Sequence, residues 1–268
     1  MSLETSLNTE LSIFINELKD EKLPQDITQQ PYHISIFTKE SNRNNFPFMI
    51  DGVVQIHLVN SRIEELAYSG FNFNGKPMSL TKVLNRELAG EHSYSSGIYN
   101  ENGKLQFRAE GRQIFVAPGR EYSYIKLVET ALAEYLHSGI FEIVKKEINK
   151  YLNNKFKPEN LTVEQADKIL SEFKEIDEGI VHSAILLYLS RDIRNAESIK
   201  KSLSILTRRK EYILVEGYFD ALNKISHLPV NLKLKIPILA LYEGEIDFLL
   251  RGKDGIMAYT EKKFPDTN

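Results

Sequence analysis

From Glu121 the apolar residues fall into helical spacing and hold it for roughly a hundred residues, which commits the middle of the chain to packed helices. Ile125, Val128, Leu132 and Tyr135 share one stripe. Gly139 predicts a break, and Ile140–Leu152 predicts a further helix before Pro158. Thr162 and Gln165 have capping-box spacing ahead of Ile169, Leu170, Phe173 and Ile176. Ile180–Leu189 predicts a separate buried helix, and Asn195 is placed to cap another that carries Ile199, Leu203 and Leu206. About five consecutive helices with short connections imply antiparallel packing.

Before this region the pattern is mixed. Leu7, Leu11, Phe14, Ile15 and Leu18 predict an amphipathic helix ending before Pro24. Tyr32–Phe37 alternates as a strand does. Phe48–Ile50 and Val53–Val59 flank Asp51-Gly52, which predicts an antiparallel hairpin, with a bulge as the alternative. Ser61 with Glu64 predicts a short helix ending at Gly70, and Ser79–Ala89 a second one. Between Ser93 and Ala117, the turn dipeptides Asn102-Gly103 and Glu110-Gly111 predict a three-stranded meander. After His227, Leu232, Leu234 and Ile236 alternate with lysines, and Glu245–Arg251 and Ile256–Glu261 flank Gly252–Gly255, so a C-terminal β hairpin is expected. The expected fold class is therefore α+β, with an N-terminal α/β region over 1–119, an antiparallel helical region over 120–228 and a β segment over 229–268. These regions either stand apart or share one compact domain.

Composition narrows the chemistry. The 268 residues include no cysteine, which excludes disulfides, thiolate metal sites and a cysteine nucleophile. A net charge of -3 gives no global signature of nucleic-acid or anionic-membrane binding. Met1–Lys19 has no continuous apolar run of the signal-peptide kind, and Ile180–Leu189, about ten residues, falls short of the roughly 20 that cross a bilayer. A cytoplasmic protein without membrane attachment is expected. None of the six histidines has an evident metal-ligand spacing; His182 is read as satisfied within the helical core.

One local charge imbalance stands out. Arg191, Arg194, Lys200, Lys201, Arg208, Arg209 and Lys210 crowd a stretch in which Asp192 and Glu197 are the acids. Such a face either contacts phosphates or other anions, or is simply solvated.

Two short motifs carry resemblances. Tyr212–Asp220 (YILVEGYFD) resembles the opening strand and turn of the TOPRIM module of primases, topoisomerases and related nucleases, which implies an acid/base role for Glu216. Gly244–Asp247, followed by Glu261-Lys262-Lys263, is similar to the PD-(D/E)xK nucleases. That resemblance implies strands presenting Asp247 and Glu261 to Mg²⁺ and Lys263 to the attacking water, with Glu216 or Glu245 as a further carboxylate. The plainer reading of the same residues is a charged, solvated hairpin. Tyr122 and Lys126 have the Tyr-x-x-x-Lys spacing of short-chain dehydrogenases, but no glycine-rich strand-to-helix turn near the N-terminus offers a dinucleotide its cradle.

The sequence points first to a non-catalytic cytoplasmic binding or interaction protein that uses Arg194, Lys200, Lys201, Arg208, Arg209 and Lys210. Its expected partner is another protein or the phosphate backbone of a nucleic acid, and no cofactor is expected. The alternative is a Mg²⁺-dependent nuclease or related phosphoryl-transfer enzyme acting on nucleic acid, with Asp247 and Glu261 as metal ligands and Lys263 and Glu216 beside them.

Overall fold

The computed structural model describes residues 3–19, 22–23, 32–37, 54–59, 67–73, 76–79, 90–116 and 124–265. These divide into two compact units. The first comprises Met1–Asn16, Gln25–Gly97 and Arg108–Gly139, and the second Glu17–Pro24, Ile98–Phe107 and Ile140–Asn268.

In the first unit, helix α1 (Leu3–Leu18) buries Leu7, Leu11 and Phe14 at intervals of four and three, as its periodicity requires. Strands β1 (Tyr32–Phe37), β2 (Val54–Val59), β5 (Gly90–Glu101) and β6 (Lys104–Val116) form a sheet in the order β1-β2-β6-β5. β1 and β2 pair in parallel, Tyr32 opposite Val54, and β2 pairs in parallel with β6, Ile56 opposite Ile114. β3 (Ala67–Phe73) and β4 (Lys76–Ser79) make a separate antiparallel pair. β5 and β6 are joined by Asn102-Gly103, whose φ angles of 52° and 78° are those of a type I′ hairpin turn. The expected meander is thus two long strands, because Glu110-Gly111 continues β6 instead of turning. β2 takes parallel partners, and the expected hairpin at Asp51-Gly52 lies outside the described residues. Gly70 sits within β3 rather than at the end of a helix, and 61–66 and 80–89 also lie outside them.

Helix α2 (Tyr124–Lys155) passes from the first unit into the second without breaking at Gly139. Its first half buries Leu127 to Leu136 almost continuously, Glu129 and Glu134 included. A helix covered on most sides shows no clean stripe, which is why the sequence pattern suggested two pieces.

The second unit is helical apart from the tip of the β5–β6 hairpin. α2 grips that tip through two asparagines one helical turn apart. Asn153 accepts from the Leu105 N–H at 3.0 Å and donates to the Leu105 carbonyl at 2.7 Å, while Asn149 accepts from the Phe107 N–H at 2.6 Å. Four residues of helix rise about 6 Å and two of strand about 6.8 Å, so the two ladders match.

Helix α3 (Val163–Leu189) is one helix where two were expected, and it begins with the expected Thr162–Gln165 capping box. α4 (Ala196–Leu206) follows a 3₁₀ turn at Ile193–Asn195, and α5 (Ile213–Lys224) follows another at Lys210–Tyr212. Asn195 precedes α4 without capping it; its amide donates instead to the Leu189 carbonyl at 2.9 Å. α5 packs along α3 where Gly179 leaves room for Tyr218. A Cβ at Gly179 would lie 2.9 Å from the Tyr218 ring. The buried Tyr218 hydroxyl donates to the Leu249 carbonyl at 2.7 Å.

The C-terminal β hairpin expected from the sequence is absent. The chain instead forms α6 (Val230–Lys233), α7 (Ile236–Tyr242), α8 (Ile246–Leu250) and α9 (Gly252–Lys263). Pro237 lies in the first turn of α7, where a helix tolerates its missing N–H, and Ile236–Leu241 is buried on every side. Gly244 and Gly252 adopt φ of +76° and +63°, so these glycines join helices rather than strands.

Candidate functional site: a basic face on the helical unit

The inward side of α4 is fixed by Ile199, Ser202 and Leu206, which are buried, and this turns Lys201, Ile205 and Arg208 outward. The cations of this stretch divide into two groups. Arg191 is committed: its guanidinium pairs with Glu17, stacks 3.9 Å from the Tyr188 ring centroid and donates to the Tyr188 carbonyl at 2.8 Å. Arg194 is committed to Asp192, with Nε 2.9 Å from Oδ1. The hydrogen bonds from Arg194 hold the Asp192 carboxyl down at about 2, and Asp192 raises Arg194 in turn.

Lys200, Lys201, Arg208 and Lys210 are exposed and Arg209 is half-buried, and none of the five forms an ion pair among the described residues. Three isoleucines of the same stretch are exposed: Ile193 at 87%, Ile213 at 63% and Ile205 at 47%. The surface is therefore cationic with apolar points.

The residues of the nuclease resemblances lie on helices. Glu216 is exposed in the first turn of α5, so the strand expected there is a 3₁₀ turn running into a helix. Asp247 lies on α8 and Glu261 and Lys263 on α9, all exposed. Alternation that would place two strand residues on one face has no meaning on a helix, so the geometry that motivated this trio is gone. Lys263 pairs with Glu243, and Lys262 lies 2.7 Å from Glu245. Burial pushes the Glu243 carboxyl up, but hydrogen bonds from Lys263 and Tyr259 outweigh it and hold the group below its ordinary value. Burial and the bond to Glu243 raise the Tyr259 phenol. Among the described residues, neither Asp247 nor Glu261 belongs to a group of three or more carboxylates or histidines close enough to share a cation.

The sequence reading passed over one pair. Glu178 and His182, four apart on α3, bring Oε2 and Nε2 within 3.3 Å, and the Tyr212 ring meets the imidazole edge-on at 5.1 Å. Glu-x-x-x-His was visible in the sequence as one helical turn once 163–189 is read as a single helix. Such a pair supplies two ligands, and an ion-pair partner for the imidazole when it is protonated. Lys126 of the dehydrogenase-like spacing pairs with Glu129 at 3.0 Å, and Tyr122 lies outside the described residues.

No protein-family model, no curated protein and no solved structure matches the chain. No described helix is long and apolar enough to cross a membrane.

Proposed function

We propose that the chain is a non-catalytic binding protein that holds an anionic partner on α4 and the turns flanking it, with the cytoplasm as its setting. The observation that supports this most is the division of cations. Arg191 and Arg194 are occupied by Glu17 and Asp192, whereas Lys200, Lys201, Arg208, Arg209 and Lys210 have no ion-pair partner among the described residues. Unpaired cations on one short helix and its connections set up a local positive potential, although the whole chain carries -3. An anionic partner released from its counterions by such a face binds in a salt-dependent way.

Fluorescence anisotropy with two labelled probes tests the reading: a duplex oligonucleotide and a polyglutamate peptide. At least one is expected to bind at low salt and to bind about tenfold more weakly to the Lys201→Glu/Arg208→Glu variant, the scale of one or two lost charge-assisted contacts. Equal affinity of wild type and variant for both probes rejects the basic face. Mg²⁺-dependent cleavage of the oligonucleotide, lost in Asp247→Ala, would overturn the non-catalytic half of the proposal.

A further inference from the structure

A single exposed isoleucine is ordinary on a protein surface, but the second unit gathers three of them in one stretch. Of the seven large apolar residues exposed among the described residues, Ile193, Ile205 and Ile213 fall within 21 positions, the same positions that carry the basic face. Lys201 and Ile205 are one turn apart on the outward side of α4, and Ile205 and Ile213 flank the Arg208-Arg209-Lys210 run. Lys200–Lys210 contains no acid. Glu197 and Glu211 stand at its two ends and Glu216 in the first turn of α5, so five cations outnumber three carboxylates and the face stays positive.

The isoleucines separate the anionic surfaces that the cations alone would accept. Single-stranded nucleic acid is held by aromatic rings that stack on its bases, and the phosphates of a duplex give an isoleucine nothing to bury against. Tyr212, the one aromatic residue of 190–213, is half-buried with its ring on His182. Protein interfaces favour aromatic residues and are depleted in lysine, whereas three of the five cations here are lysines and the exposed apolar residues are aliphatic. An anionic bilayer uses both kinds of side chain: its headgroups attract Lys and Arg, and aliphatic groups enter the boundary between headgroups and acyl chains.

Resting on the basic-face reading above, we infer that the anionic partner is a bilayer surface rich in anionic phospholipid. Lys200, Lys201, Arg208, Arg209 and Lys210 meet its headgroups, and Ile205 and Ile213 enter the boundary beneath them. The net charge of -3 gives no hint of this, because the attachment rests on local charge. The same net charge leaves the rest of the chain acidic, which turns this face toward an anionic surface and the remainder away. Attachment through one helix and its turns is peripheral, and it is sensitive to salt and to lipid composition.

The chain contains no tryptophan, so a single introduced one reports on its own surroundings. Ile213 is 63% exposed, which leaves room for the larger ring of Ile213→Trp. The full chain is mixed with vesicles of phosphatidylcholine alone, or of phosphatidylcholine and phosphatidylserine in equal parts. Wild type is expected to float with the mixed vesicles at low salt and not with the neutral ones. Lys201→Glu/Arg208→Glu is expected to bind the mixed vesicles at least about tenfold more weakly. The emission of Ile213→Trp is expected to shift to the blue on the mixed vesicles and to stay in place when polyglutamate or the oligonucleotide is bound. Wild type that floats with neither preparation or equally with both, or a charge-reversed variant that floats like wild type, overturns the lipid assignment. So does emission that the mixed vesicles leave unshifted, or that polyglutamate shifts as far. The outcomes remain separable: a chain that binds the oligonucleotide or polyglutamate through Lys201 and Arg208 but no vesicle keeps the basic face and loses this inference, whereas one that binds neither probe nor vesicle loses both.

Discussion

Asp192 is the residue whose environment speaks most plainly. Its carboxyl accepts from the backbone and guanidinium of Arg194, two positions away, and this depresses its ionisation to about 2. An unpaired aspartate titrates near 3.9. Because the folded value is the lower one, the ionised form is favoured by folding. The contribution to stability is complete above about pH 4 and disappears as pH falls through 2. Both groups face water, so the effect on global stability is small. The direct measurement is an NMR titration of the Asp192 carboxyl carbon: a midpoint near 2 is expected, moving up toward 3.9 in Arg194→Ala. A midpoint unchanged by that substitution would show that Arg194 is not the cause. The same pairing removes Arg194 from the unpaired cations, a distinction the sequence could not make, because a Lys/Arg census counts charges and not commitments.

At the level of elements, legibility followed burial geometry. α1 was readable because it has one covered face and a clean period, Leu7-Leu11-Phe14, and β1 because Tyr32, Ile34 and Ile36 alternate along the sequence. The Asn102-Gly103 turn was readable because its positive φ values demand those residue types. The C-terminal helices were not. Leu232, Leu234 and Ile236 alternate, but they belong to short helices packed on several sides, where periodicity carries no information. Gly252 and Gly255 looked like a hairpin turn and in fact lie in the first turn of α9, packed against the end of α8. A Cβ on Gly255 would come 1.7 Å from the Phe248 carbonyl oxygen, a backbone atom that cannot swing aside. Gly255→Ala is accordingly expected to destabilise the protein by about 3 kcal/mol, at the upper end of overpacking costs. A denaturation midpoint equal to wild type would show that the joint opens without penalty. Of the candidate site, the basic residues were legible as a charge run. Their division into paired and unpaired depended on Glu17, which is 174 positions from Arg191, and no local pattern reports that.

For the whole molecule, the local placement of charge matters more than net charge. A chain at -3 looks nearly neutral, yet Lys200, Lys201, Arg208, Arg209 and Lys210 have no ion-pair partner among the described residues. Salt should therefore separate binding from folding. At about 1 M salt, where the Debye length is about 3 Å, binding of an anionic probe to the basic face is expected to vanish. The far-ultraviolet circular dichroism should stay unchanged, because the core is built from apolar side chains such as Leu132, Ile180, Tyr218 and Leu249. Loss of helical signal at that salt concentration would contradict a fold held by packing.

The asparagine clasp on β6 has a consequence of a different kind. Leu105 and Phe107 present their amides along one margin of the strand, and a bare margin of that sort is a template on which foreign strands can grow. Asn149 and Asn153 cover it with side chains instead of a further strand. Solubility at this margin thus depends on two carboxamides, and a chain deprived of both would be open to fibrous aggregation even with its helices intact.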